Sequence, residues 1–73
     1  METLSLNLKK FRLSKKLTQE QAAEALHVSA QTISRWETGV TLPDVLKLPE
    51  IAQLYCITIE DLFRDNSTAY ENY

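Results

Sequence analysis

LTQEQAAEALHVSAQTISRWETG, residues 17–39, is the stretch that decides the fold, because it holds two helix signals with only a short turn between them. Thr18 with Gln21 three residues later is a capping box, which predicts that a helix begins directly after Thr18. Ser29 is a favourable cap for a second helix, and Gly39 is the residue expected just past its end. Two short helices joined by a turn of about three to four residues are the geometry of a helix-turn-helix.

The two helices are predicted to have distinct inward and outward faces. The small side chains of Ala22 and Ala23 allow the second helix to cross the first closely, and Leu26 is buried with them. At about 100° per residue, Ile33 and Trp36 share the inward face of the second helix. The outward face is small and polar, and it consists of Ala30 at its flank, Gln31, Ser34, Arg35 and Thr38.

This outward face suits the major groove of DNA. A glutamine amide can pair with adenine, and an arginine guanidinium can pair with guanine, each through two hydrogen bonds. The alternative is an ordinary solvated helix face, since Gln, Ser and Arg are common surface residues. This face alone favours an ordinary solvated surface, so the prediction of DNA binding depends on the sequence pattern of the whole chain.

Three further helices are predicted around this pair. Leu4, Leu8 and Phe11 repeat at helical spacing and predict a first helix over roughly residues 5–15, with a basic outer face. A sequence with one glycine and two prolines favours helices joined by short turns. The predicted fold class is therefore all-α, a compact five-helix domain.

The fourth and fifth helices have their own start signals. Pro43-Asp44 opens a fourth helix that runs to about Tyr55, and Pro49 falls early enough to be tolerated while making the first turn irregular. Thr58 opens a short fifth helix, whose first turn is acidic and is favoured there by the helix dipole.

Length and composition limit the function classes. The 73 residues form one domain, predicted over residues 1–65, with residues 66–73 as a polar linker stub to a further C-terminal region. The single cysteine excludes an internal disulfide. No apolar stretch approaches the ~20 residues that span a bilayer, and no signal peptide is visible, so no membrane contact and a cytoplasmic location are predicted.

The charge is distributed unevenly. The net charge of −2 argues mildly against a nucleic-acid partner. Residues 1–16, however, hold only Glu2 on the acidic side, against the basic Lys9, Lys10, Arg12, Lys15 and Lys16. Such a segment can bind phosphates locally, and Lys9 and Lys10 are the predicted phosphate contacts on the first helix. The acidic total still predicts weak non-specific binding that is sensitive to salt.

Metal and enzyme chemistry are not predicted. His27 and Cys56 are the only soft metal ligands, and two cannot make a zinc site. His27 is predicted to be a turn residue and Cys56 a partly buried small apolar one. As a nucleophilic pair they lack an orienting acid, and Glu60-Asp61 is interpreted as helix capping. The sequence therefore predicts no metal, no cofactor and no enzyme.

The combined pattern resembles the helix-turn-helix domain of the Cro and phage-repressor family, often called the XRE family. The resemblance covers about residues 4–64 and implies a transcriptional regulator, expected to be a repressor. Its recognition helix, about residues 29–38, would lie in the major groove of a double-stranded operator, and a homodimer would bind a two-fold symmetric site. It rests on residues 17–39 with NLKKFR at 7–12, TLPDVLKLPEIAQLY at 41–55 and ITIEDLF at 57–63.

The resemblance also implies roles by position. The base-contacting residues are Ala30, Gln31, Ser34 and Arg35. The phosphate-side residues are Gln19, which also caps the second helix, Ser29 and Thr32. Arg12 pairs with Glu37, and each directly follows a predicted core aromatic residue, which places both at the contact between helices one and three.

Several positions depart from the family pattern. Val40 and Leu42 stand in a loop that is often basic in relatives, so phosphate contacts are lost there. Lys16, His27 and Cys56 stand where relatives frequently have glycine, which predicts a left-handed backbone at all three. The acidic total and the missing loop cations leave one alternative open, a protein-interaction domain on the same fold that does not bind DNA.

Overall fold

The structure, a computed structural model, describes residues 2–65 and is all-α over that range. The predicted five-helix class is confirmed, and no strand occurs among the described residues. Residues 66–73, predicted to be a linker stub, lie outside the described residues. The elements are α1 Glu2–Ser14, α2 Gln19–Leu26, α3 Ala30–Thr38, a 3₁₀ turn Val45–Lys47, α4 Leu48–Tyr55 and α5 Ile59–Phe63.

Side-chain caps fix where α2, α3 and α5 begin. In the α2 capping box the Gln21 backbone N–H donates to Thr18 Oγ1 at 3.0 Å, and the Thr18 N–H donates to Gln21 Oε1 at 2.9 Å. Ser29 accepts from the Thr32 N–H at 3.1 Å at the start of α3. The expectation that Gln19 caps α2 is wrong, because Thr18 holds the extended cap conformation and leaves Gln19 as the first helical residue.

The predicted left-handed residues are confirmed. Lys16, His27 and Cys56 have φ of 59°, 60° and 59°, and Gly39 has φ of 80°. At each site the next residue's N–H bonds back over five residues, as in Val28 N to Ala23 O at 3.0 Å, which is a Schellman closure. These closures let short helices turn sharply into one another.

Replacing His27 with glycine is expected to leave the free energy of unfolding unchanged or to raise it by up to about 1 kcal/mol. A left-handed backbone strains a residue with a Cβ, so glycine relieves that strain in the folded state. The relief should equal or exceed the stability lost to the extra entropy that glycine gives the unfolded chain. Thermal unfolding followed by circular dichroism measures the change. The matched control is Ala25→Gly within α2, which should lose about 1 kcal/mol; an equal loss in both variants would contradict the account.

The irregular start of the fourth helix is confirmed, although its position differs from the prediction. Asp44 accepts from the Leu46 N–H at 3.1 Å and opens a 3₁₀ turn, not an α-helix. Regular α4 begins only at Leu48, with Pro49 in its first turn. Proline has no N–H to donate to the preceding turn, so the α-helical pattern cannot extend upstream through it.

One hydrophobic core joins all five helices. Helix α1 packs on α3 and α5, α2 packs on α3 and α4, and α4 packs on α5. Phe11 packs on this core while remaining half-buried. Cys56 is exposed, so its predicted partial burial is wrong: the left-handed position past the end of α4 turns its side chain outward. The largest fully buried side chains are Leu8, Leu26, Ile33, Ile51 and Leu62.

Asn7 is a buried polar residue that closes the last turn of α5. Its Nδ2 donates to the carbonyl of Leu62 at 2.9 Å and to that of Arg64 at 3.0 Å. Those carbonyls have no partner within the helix, because the helix ends there. Asn7 therefore holds α5 against α1. Among residues 2–65, no helix has both the length and the apolar character that crossing a membrane requires.

Candidate nucleic-acid interface

Helix α3 has one face in the core and one face in solvent. Ile33, Trp36 and Glu37 are buried, whereas Gln31 and Arg35 are exposed. The predicted base-contacting residues at the margins, Ala30 and Ser34, are half-buried, and Thr38 is exposed. The structure therefore brings the amide and the guanidinium together on the free face of α3, with small side chains around them.

A buried ion pair fixes α3 against α1, as predicted. Arg12 Nε donates to Glu37 Oε2 at 2.7 Å, and Nη2 donates to Oε1 at 3.0 Å. The remaining guanidinium nitrogen of Arg12 donates to the Leu17 carbonyl at 2.7 Å. The pair is almost fully enclosed, and hydrogen bonding to Glu37 raises the pKa of the Arg12 guanidinium above its ordinary value. Such two-pronged pairing gives directional rigidity that a single charge contact lacks.

Gln19 joins the same network. Its Nε2 donates to Glu37 Oε1 at 3.2 Å, so the first residue of α2 is tied to the last full turn of α3. The Gln19 side chain is half-buried, and its predicted phosphate contact remains a prediction. The carboxylate of Glu37 therefore holds together the end of α1, the start of α2 and α3.

The other predicted phosphate-contacting residues lie at the start of α3 and on α1. Ser29 and Thr32 sit at the N-terminus of α3, where their hydroxyls lie 2.9 Å apart. A helix N-terminus attracts anions through its free N–H groups and its dipole. Lys9 and Lys10 are both exposed on α1.

The two lysines of α1 point to different neighbours. Lys10 Nζ lies 5.1 Å from the centroid of the Phe11 ring, and the side chain lines a cleft with Arg64 beside α5. Lys9 follows Ser5 by one helical turn, and Ser5 lies next to Gly39 at the end of α3. Lys9 is therefore the lysine on the α3 side of α1.

Lys47 is a contact that the sequence did not reveal. Its Nζ donates to the Leu26 carbonyl at 2.7 Å, at the C-terminal end of α2, and lies 3.5 Å from Glu50. A cation is favourable at the negative end of a helix dipole. Lys47 therefore fastens the 3₁₀ turn to the helix-turn-helix. Within residues 2–65, no cluster of three or more His, Cys, Asp or Glu side chains could hold a metal ion.

Two short helices that meet across small residues, with the second presenting a free polar face, define a helix-turn-helix module. The family model described as Helix-turn-helix matches residues 8–62, and the chain belongs to that family. The resemblance to Cro-type and XRE-family domains seen in the sequence is thereby confirmed.

A curated relative is named as a transcriptional regulator. The chain is 44% identical over 55 residues to the HTH-type transcriptional activator BcrR of Enterococcus faecalis, a match that covers 75% of this chain and 27% of BcrR. The chain thus spans about a quarter of the length of this curated relative.

Solved structures share the fold. PlcR of Bacillus thuringiensis, in complex with the peptide PapR7 and DNA, aligns with a TM-score of 0.77 and 32% identity, covering 86% of this chain and 22% of PlcR. The SOS-response transcriptional repressor LexA of Eubacterium rectale aligns with a TM-score of 0.79 and 30% identity, covering 86% of this chain and 67% of that chain.

Proposed function

We propose that this chain is the DNA-binding module of a transcriptional regulator, with α3 in the major groove of double-stranded DNA. The observation that carries the proposal is the free face of α3, where Gln31 and Arg35 are exposed while the opposite face is locked into the core. Both side chains have hydrogen-bonding groups that match base edges in the major groove. The similarity to PlcR, whose structure is a complex with DNA, supports the same role.

The mechanism divides the residues into two groups. Gln31 and Arg35 select bases, with Ala30 and Ser34 close enough to contact thymine methyl groups or base edges. The start of α3 at Ser29 and Thr32, and the start of α2 at Gln19, meet phosphates and fix the register of the module on the duplex. The buried Glu37 network ties the start of α2 to the last turn of α3, so the two helices meet the duplex as one rigid unit.

Selection of bound sequences from a random duplex pool tests the proposal. A DNA-binding module should enrich one short motif, and its affinity should fall steeply as salt concentration rises. The alternative, a protein-interaction domain on the same fold, predicts no enrichment and no salt-dependent shift of duplex DNA. The exposed apolar Val40 and Leu42, in place of loop cations, are the observation that favours the alternative.

Charge reversal of Lys9 to glutamate should weaken binding to all duplexes alike and reduce the slope of log affinity against log salt by about 1. Lys9 lies on the α3 side of α1, whereas Lys10 lies beside α5. Lys10 is the other predicted phosphate contact on α1, and Lys10→Glu is the comparison variant, which should change the slope less because of this position. Fluorescence anisotropy over a salt series measures the slope for each variant. Unchanged slopes in both variants would show that α1 does not contact DNA.

We also propose that binding represses transcription and takes place in the cytoplasm. Occupying a site that overlaps a promoter is enough to block polymerase, whereas activation requires a further productive contact. A reporter promoter that carries the selected motif should therefore lose expression when the chain is present. Increased expression would instead match the activator role in the name of BcrR.

A further inference from the structure

Helix α1 carries two exposed leucines on the side that points away from the core. Leu6 is 60% exposed and Leu13 is 53% exposed, whereas Leu4 and Leu8 on the opposite side are buried. The two exposed leucines are seven residues apart, so they share one side of the helix and lie about 10 Å apart along its axis. Single exposed leucines are ordinary, but two in line form a leucine strip that another helix can pack against.

Two lysines flank this leucine strip. At about 100° per residue, Lys9 lies about 50° to one side of the strip and Lys10 about 50° to the other. Both side chains are exposed. Neither takes part in the ion pairs that the structure forms among residues 2–65. The outer side of α1 is therefore an apolar strip with a positive charge on each side.

The Lys10 side of the strip opens into a cleft against the end of α5. Leu6 and Lys10 line the cleft from α1, and Arg64 and Asp65 line it from the segment after α5. Arg64 lies 3.3 Å from Asp61, so those two charges offset each other. The cleft therefore contributes shape, and the charge that borders the strip comes from the lysines of α1.

We propose that the leucine strip is the docking surface for an acidic amphipathic helix of a partner protein. Such a helix would place apolar side chains against Leu6 and Leu13 and carboxylates beside Lys9 and Lys10. Recognition of an amphipathic helix by an apolar surface uses anchors that recur about every three to four residues, which matches two leucines two turns apart. The inference goes beyond the proposed function and does not depend on DNA binding by α3.

Charge favours this occupant over a second copy of the chain and over DNA. In a two-fold contact through the same strip, the lysines of one copy would face those of the other. DNA phosphates would pair with the lysines but would leave Leu6 and Leu13 in water. An acidic amphipathic helix buries the leucines and also matches the lysines with opposite charge, which sets the orientation of the partner.

Selection from a phage-displayed library of helical peptides tests the proposal. Peptides that bind the wild-type chain should share acidic residues beside apolar residues at helical spacing. The double variant Leu6→Gln/Leu13→Gln should bind the selected peptide about 10-fold more weakly, the usual effect of removing interface anchors. The double variant Lys9→Gln/Lys10→Gln should also bind it more weakly and should show less dependence on salt. Isothermal titration calorimetry measures each affinity.

The double variant Val45→Gln/Leu46→Gln is the matched control, because it removes exposed apolar side chains from a different part of the surface. It should bind the selected peptide as tightly as wild type. Three results would overturn the proposal: no enrichment of acidic peptides, full peptide affinity in the Leu6/Leu13 variant, or cosedimentation with phosphatidylglycerol vesicles by a chain that selects no peptide. A chain that selects acidic peptides but no duplex would support this inference and contradict the proposed function, so the two failures are distinguishable.

Discussion

Replacing Glu37 with alanine is expected to lower the free energy of unfolding by about 3–5 kcal/mol. The change leaves the guanidinium of Arg12 buried and without its main partner, and it also removes the acceptor of Gln19. Small domains have only about 5–15 kcal/mol in total, so this one side chain accounts for a large share. Urea unfolding followed by circular dichroism measures the loss, and Arg12→Ala should lose a similar amount.

Two controls separate burial from simple charge pairing. Glu50 is 48% exposed and lies 3.5 Å from Lys47, so Glu50→Ala should cost no more than about 1 kcal/mol. The double variant Arg12→Met/Glu37→Leu should recover much of the loss, because an apolar pair of similar volume strands no charge. Equal small losses in Glu37→Ala and Glu50→Ala would contradict the structural role of the pair.

Arg35→Ala is the second large effect and concerns binding. It should weaken binding to the selected site by about 1–3 kcal/mol and relax selectivity at one base pair. Arg35 is exposed on the free face of α3, so the variant should unfold at the same temperature as wild type. Anisotropy titrations on the selected site and on its single-base variants measure both the affinity and the selectivity.

Arg64→Ala is the matched control for charge. Arg64 is an exposed arginine that directly follows α5, and its removal changes the net charge by the same amount. A general electrostatic contribution would therefore appear in both variants, whereas base recognition is specific to Arg35. Unchanged binding in Arg35→Ala would show that α3 does not contact bases in the proposed way.

The helix boundaries of this fold were predictable because they depend on contacts between residues close together in the sequence. Thr18 and Ser29 fix helix starts through hydrogen bonds that span only three residues, so their effect can be inferred from short segments of sequence. Gly39 marks the end of α3, and this too can be inferred from a short segment of sequence. The left-handed backbone at His27 was predictable only through the resemblance, because relatives frequently have glycine at that position, and the structure confirms it.

Tertiary contacts explain what was missed. Asn7 bonds to carbonyls more than fifty residues away, and Lys47 bonds to the Leu26 carbonyl across 21 positions. The one available signal was that Asn7 falls within the apolar face formed by Leu4 and Leu8, where a polar residue needs a partner. The Gln19 bond to Glu37 depends on the crossing of α2 and α3, which spacing alone does not give.

The measurement that tests the central claim most directly is the affinity ratio of the wild-type chain for its selected duplex and for a scrambled duplex of equal composition, at one fixed salt concentration. Sequence recognition by α3 predicts a ratio of at least about 10³. A ratio near one would show that the free face of α3 does not recognise DNA sequence and would contradict the account.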